Sequence, residues 1–213
     1  MCIRDSYWRG WLESRPKVWD DFISDLKYLE KTKNYYNAIE GLTDIECFNY
    51  WDNELKSTGY LHNHARMWFA SMWTFTLELP WQLGAEFFLK YLYDADSASN
   101  TLSWRWVAGL QTKGKHYLAK NWNIEKFTNG NFSTAILNER AVPVDDSRNY
   151  AFSKIEYSEL DFESESIVMF DNELNTDFLS NNNYKHAYFC VLSNEERQVE
   201  ICQNNITYIE SVI

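Results

Sequence analysis

Long apolar runs are missing from this chain of 213 residues. The longest candidate, Met67–Leu79, is interrupted by Ser71, Thr74, Thr76 and Glu78. It also falls short of the roughly 18–20 residues a membrane span needs, so it reads as a buried core helix and no membrane partner is expected. Cysteine is scarce. Cys2, Cys47, Cys190 and Cys202 form no CxxC and have no histidine at ligand spacing. That argues against a metal site and a disulfide framework, and leaves reduced, buried thiols as the expectation. A secretory apolar stretch is missing at the N-terminus, so the chain is expected to be cytoplasmic. GxSxG, HExxH, GxxxxGK and GxGxxG are all absent, which removes the common hydrolase, zinc-protease and nucleotide-binding signatures. Tryptophan is absent from the last 91 residues, and cations are few there. Residues 131–213 carry 5 Lys+Arg against 15 Asp+Glu, while residues 1–130 carry 15 against 16. The net charge of −11 therefore belongs almost entirely to the tail. Net charge alone opposes a nucleic-acid partner. The near-neutral part remains compatible with one if its cations share a face.

What is present is aromatic. Hydrophobic residues at 45% and charged residues at 24% are ordinary values, so disorder and collagen-like repeats are excluded. Aromatic residues reach 17%, with 10 Trp, 14 Tyr and 13 Phe. That exceeds routine core packing and points to a protein that uses its rings.

Trp8, Trp11 and Leu12 share a helical face, and Pro16 restarts the chain into Trp19, Phe22, Ile23, Leu26 and Leu29 at helical spacing. Asn34–Gly41 reads as a loop. Thr43 and Glu46 have the spacing of a capping box, and Gly59 suits a left-handed helix end. His62–Leu79 should be a central helix. Pro80 breaks it, and Trp81 opens the next helix, to about Tyr93. Asp94–Ser103 reads as a turn or irregular stretch, and Trp104–Leu110 as a short apolar segment. Residues 1–130 are thus all-α. In the tail, 131–165 looks extended. Ser166–Phe170 and His186–Leu192 are β-like, and Glu196–Ile201 is a candidate third strand.

One constellation carries chemistry: Thr58–Met67, Trp81 and Asp94–Trp106. Arg66 sits in an apolar helix and needs a partner, because an isolated buried charge is costly. Asp94 and Asp96 can supply it, either as a plain link between helices or as a pair lining a cofactor pocket. His62 reads as a satisfied hydrogen-bonding residue. Asn100 can both donate and accept, which suits a turn as well as a ligand contact. Trp104 and Trp106, two apart, would point to different sides of a regular helix, as core residues or toward a cavity.

TGYLHNHARM, then PW, then DADSASNTLSWRW resembles the FAD-binding helical domain of the DNA photolyase/cryptochrome family, whose pattern is TGWMHNRxRM, a Trp, then DGDxAxNxxxWQW. Trp81 lies 13 residues before Asp94 and Trp104 lies 4 after Asn100, as in the family. The resemblance covers about residues 7–132, and Asn121–Phe132 resembles the segment after the flavin site. It implies a mainly α fold: a partial helical FAD-binding domain at 7–132, and an acidic C-terminal extension at 133–213, small α/β or irregular. Residues 1–6 read as an artificial start joined to the C-terminal half of a longer protein. FAD is the implied cofactor, held weakly or not at all by these residues alone. Arg66 and Asp94 would pair beside the isoalloxazine ring with Asp96 close by, and Asn100 would face its N5. Trp104 would be the ring-proximal electron donor, Trp81 the next relay and Tyr28 the outermost. Asn63, His64, Met67 and Trp106 would meet a flipped pyrimidine dimer. The implied activity is blue-light-driven repair of pyrimidine dimers in DNA by electron transfer from reduced flavin. The alternatives are a cryptochrome-type photoreceptor with a signalling partner and a cofactor-free interaction fragment. His64 stands where the family usually has Arg, Tyr60 replaces a common Trp, and Leu102 and Ser103 replace a common Gly pair.

Overall fold

Aromatic side chains repeating at helical spacing must be buried on one face of each helix, and in this protein the helices bury them against one another. The computed structural model describes residues 3–132, 136–156, 165–171 and 184–212, and of residues 3–6 only the backbone. Nine α-helices lie within those residues: α1 (Ile3–Glu13), α2 (Lys17–Tyr28), α3 (Lys33–Ile39), α4 (Glu46–Thr58), α5 (Asn63–Ser71), α6 (Trp81–Tyr91), α7 (Ser97–Ala108), α8 (Asn121–Phe127) and α9 (Gln203–Val212). Strands β1 (Ser166–Phe170) and β2 (His186–Cys190) pair in parallel, Ser166 opposite His186 and Phe170 opposite Cys190. None of these helices is long and apolar enough to cross a membrane.

The core lies among α4, α5, α6 and α7. Phe48 stacks on Phe69 at 4.1 Å, and Phe69 meets Phe87 and Phe88 of α6. Each such ring removes about 150–250 Å² of surface from water and gains a further 0.5–1.5 kcal/mol or so from ring geometry. Residues 72–76 widen the end of α5 into a π-turn, in which Leu77 N–H donates to Met72 O at 2.8 Å. Trp73 Nε1 donates to Pro80 O at 2.9 Å, fixing where the turn ends.

The expected punctuation is largely present. Gly59 caps α4 at φ 67°, and Trp81 opens α6 directly after Pro80. Several expectations need correction. Asn34–Gly41 is mostly helix α3, because the Thr32 hydroxyl accepts the Tyr35 N–H at 3.3 Å and caps a turn whose Tyr35 and Ala38 are buried. The capping-box reading of Thr43 fails. Helix α4 starts at Glu46, and Thr43 instead exchanges three hydrogen bonds with the Asn49 amide. Asp94–Ser103 is not a turn throughout, since α7 starts at Ser97. The Asp96 carboxylate accepts the Ser99 N–H at 2.8 Å, and burial of Ala98, Leu102 and Trp104 outweighs the low helix propensity of Ser and Asn. Glu196–Ile201 forms no strand; turns lead instead into α9, which the sequence did not suggest. Cys47 is buried, but Cys190 is exposed and Cys202 half-buried.

Asp52 of α4 is fully buried, with Lys56 Nζ donating to its Oδ2 at 2.7 Å and its Oδ1 unpartnered. Burial pushes its carboxyl up from 3.8 to about 6, against the lowering effect of Lys56. The folded state then holds this proton more tightly than the unfolded chain. The stabilisation is complete below about pH 4 and lost as pH rises through about 6. In urea unfolding, the wild-type chain should lose on the order of 2 kcal/mol more than Asp52→Asn between pH 4 and pH 7. Parallel pH profiles would contradict this.

Candidate flavin-type cleft

A stripe at i, i+3, i+4, i+7 places Asn63, Arg66, Met67 and Ala70 on one face of α5. The same spacing places Asn100, Ser103, Trp104 and Val107 on one face of α7. The two stripes face a common cleft of about 1310 Å³, to which Phe88 and Leu89 of α6 add apolar wall. That exceeds the roughly 300–1,000 Å³ of ordinary ligand pockets. Of the sequence candidates, Asn63, Arg66, Met67, Asp94, Asp96, Asn100, Trp104 and Trp106 all border it.

Charge at the rim is paired. Arg66 Nη2 lies 3.0 Å from one Asp94 oxygen and 3.1 Å from the other, and its Nε donates to Leu61 O at 2.7 Å. The Arg66 side chain is 22% exposed and that of Asp94 59%, so water screens the pair and its own contribution is small. Its effect is to hold the guanidinium against the end of α4, over the Tyr60 ring at 5.4 Å. Asp96 does two other things: it caps α7 and accepts from Arg9 Nε at 3.0 Å. Both tasks fix the end of α7 where it meets the cleft.

Depth is provided by Asn100 and Trp104. Asn100 is buried, and its Nδ2 donates to Ala85 O at 2.9 Å, tying α7 to α6 beside the cleft. The Trp104 ring is buried edge-on against Phe88 at 5.0 Å and Trp73 at 6.2 Å. It lies so close to α6 that a Cβ on Gly84 would stand 2.3 Å from its Cη2. Trp104 Nε1 is buried without a partner among the described residues. Trp106 points the other way, 37% exposed at the rim and stacked on Tyr117 at 6.0 Å.

Other candidates lie elsewhere. His64 packs against α8's side, stacked on Trp68 at 4.1 Å and near Phe127, and burial lowers its pKa. His62 caps α5, its Nδ1 accepting the His64 N–H. Trp81 lines a separate recess of about 520 Å³ with Gln82, Asp146 and Arg148, stacked on Phe22 at 5.7 Å. The Arg105 guanidinium sits 5.8 Å over its ring. Tyr28 stands at the end of α2, 85% exposed.

Residues 51–132 match the family model described as the FAD binding domain of DNA photolyase. This segment is similar to photolyases and cryptochromes. A deoxyribodipyrimidine photo-lyase of Streptomyces griseus is 38% identical over 103 residues, covering 48% of this chain and 21% of that protein. Cryptochrome-1 of Arabidopsis thaliana is 35% identical over 86 residues, 40% of this chain and 13% of its own length. Cryptochrome DASH of Idiomarina loihiensis is 33% identical over 97 residues, 46% and 21% respectively. The chain spans about a fifth of the length of the first photo-lyases it matches. No solved structure matches it.

The photolyase/cryptochrome segment does not wall the cleft alone. Arg197 pairs with Asp171 and Tyr208 stacks on Tyr93 at 4.8 Å, and all four residues border the cleft. Asn205 Nδ2 donates to Lys90 O and Leu92 O at the end of α6. Trp19 Nε1 donates to Gln198 Oε1 at 2.7 Å. Sequence reasoning missed this wall because the tail lacks both tryptophan and a family pattern. The acidic character of the tail was legible, but not the contacts.

Gly84 decides whether Trp104 can occupy its slot against α6. Gly84→Ala should cost about 1–3 kcal/mol in urea unfolding through overpacking. It should also red-shift Trp fluorescence as the Trp104 ring leaves its slot. Unchanged stability and emission would show that the ring relaxes freely.

Proposed function

We propose that the cleft is a flavin site and that the protein of which this chain is part repairs pyrimidine dimers in DNA under blue light. The observation that carries the reading is positional. Asn63, Arg66, Asp94, Asn100 and Trp104 come from two separate motifs of the family pattern, lie within the region matched by the family model, and border one cleft.

The donor set fits FAD. A fused planar ring system needs a flat apolar floor, in-plane hydrogen-bonding groups and charge at its edge. Phe88, Leu89 and Val107 supply apolar wall, Asn100 a buried amide, and Arg66 with Asp94 the paired charge. The buried Trp104 indole, whose N–H finds no acceptor among the described residues, supports the reading of this residue as the ring-proximal donor. When bound, FAD supplies light absorption and the one-electron couple. Arg66 then holds its edge position through Asp94 and Leu61 O, and Asn100 is held in register by Ala85 O. Trp104 donates an electron from the cleft wall. Met67 and Trp106 offer apolar surface for a base taken out of the stack, where stacking on an aromatic ring contributes roughly 1–3 kcal/mol.

A second reading is a flavin photoreceptor of cryptochrome type. The wall formed by Arg197, Asn205 and Tyr208 favours it, because it narrows the approach to the cleft from that side.

Absorption spectra of the chain titrated with FAD should show protein-bound flavin bands at saturation, and their absence at saturating FAD would sink both readings. Light given to the reduced protein with a dimer-containing oligonucleotide should restore the pyrimidines. Bound flavin without restoration would leave the photoreceptor reading. Trp104→Phe should slow flavin photoreduction roughly tenfold, and an unchanged rate would remove Trp104 from the donor role.

A further inference from the structure

Residues 144–153 form no helix or strand, yet they cross three helices. At one end Val144 N–H donates at 2.9 Å to the carbonyl of Ala108, the last residue of α7. At the other end Ser153 N–H donates at 2.8 Å to the carbonyl of Ser14, just past α1. Charge holds the middle. Arg148 Nη1 donates to Asp25 Oδ2 of α2 at 2.9 Å, and Arg148 Nε donates to the two Asp146 oxygens at 2.9 and 3.0 Å. The Tyr150 hydroxyl donates to Asp21 Oδ2 of α2 at 3.0 Å. Arg148 therefore fastens Asp146, and with it the strap, to α2.

The group beneath works against this closure. Arg105 of α7 is 5% exposed, and among the described residues no carboxylate lies within ion-pair distance of it. Its guanidinium sits between the Trp81 ring at 5.8 Å and the Tyr150 ring at 5.1 Å, with Nε unpartnered among the described residues. Burial disfavours its charge, and Tyr150 and Asp146 of the strap oppose that effect only in part. Cation–ring contacts recover some of the cost of dehydration, but a buried guanidinium without its own carboxylate remains costly. Lifting the strap would hydrate it. One cation, Arg148, thus favours the closed state, and another, Arg105, favours the open one. The latch is also weak enough to release, since the Arg148 and Asp25 side chains are 34% and 27% exposed and salt screens such pairs.

We propose that residues 144–153 are a charge-latched strap over Arg105, which opens as a unit when Arg148 releases α2. Opening uncovers the Arg105 guanidinium and removes the wall that residues 144–148 give to the recess beside Trp81. The device does not depend on what the large cleft binds.

Limited digestion with chymotrypsin reads the open population, because cleavage after Tyr150 or Phe152 requires this stretch of chain to leave the surface. Cut sites are assigned by mass spectrometry, and rates are normalised to those of a free peptide at each salt concentration. In the wild type the rate at these two sites should rise roughly threefold from about 50 to about 500 mM NaCl, as screening weakens the latch. Arg148→Gln should be cut roughly threefold faster than the wild type at low salt and lose the salt dependence. Arg105→Met, which keeps bulk and removes the buried charge, should be cut more slowly than the wild type. A fixed segment with a merely structural role would instead be loosened by both substitutions. Equal rates in the wild type and Arg148→Gln, a wild-type rate indifferent to salt, or faster cutting in an Arg105→Met protein that melts like the wild type overturns the proposal. If Arg105→Met melts early, the wild-type salt series and Arg148→Gln decide alone.

Discussion

The Trp104 ring lies against the one stretch of α6 that carries no side chain. The bare Cα of Gly84 lets α7 come close enough for its indole to reach both Phe88 and Trp73. Much else follows from that approach. Asn100, one turn earlier on α7, can reach Ala85 O only because the two helices are this close. The cleft opens on the side of α7 that the same packing leaves facing α5. A tryptophan is a large object to seat by removing a single methyl group, and the fit leaves almost no slack.

The charged groups around this packing restrain backbone more than they add stability. Arg66 with Asp94 joins the start of α5 to the loop before α7, and Arg9 with Asp96 joins α1 to the first turn of α7. Asp171 with Arg197 does the same for the tail. The water-exposed Arg66–Asp94 pair contributes at most about 1 kcal/mol, whereas Asp171 and Arg197 are largely buried. Their value is to hold loop ends still around a cavity that side chains alone do not fill. Arg105 differs. It is buried, burial lowers its pKa, and it lies between the Trp81 and Tyr150 rings. A positive charge on either ring is therefore disfavoured.

Much of this was legible in the residues. Gly59 and Pro80 acted as the punctuation their backbone preferences dictate, and the need of Arg66 for a carboxylate found Asp94. Three kinds of feature were not legible. The onset of α7 was hidden because Ser97, Ser99 and Asn100 read as turn residues until the Asp96 cap and the burial of Ala98 and Leu102 are known. The isolation of Trp81 from the cleft was hidden because its neighbours Phe22, Arg105 and Arg148 come from three distant parts of the chain. The wall contributed by Arg197, Asn205 and Tyr208 was hidden because nothing local in an acidic tail specifies what it packs against. Local signals were read well at Gly59 and Pro80 and misread at Asn34–Gly41 and Thr43, and long-range pairing was read only where a motif supplied it.

The π-turn at 72–76 sets the phase between the two halves of the core. Each residue of a regular helix advances the chain by about 100° around the axis, and the wide turn absorbs one residue without that advance. Asn63, Arg66 and Met67 lie upstream of it; Pro80, Trp81 and Gly84 lie downstream. Deleting one residue from this stretch would regularise the local hydrogen bonding and still displace Trp73 from Pro80 O, the contact that fixes where the chain leaves the helix before α6. The irregular turn thus fixes, through Trp73 and Pro80 O, the point from which α6 departs. A locally more ideal helix would be the defective one.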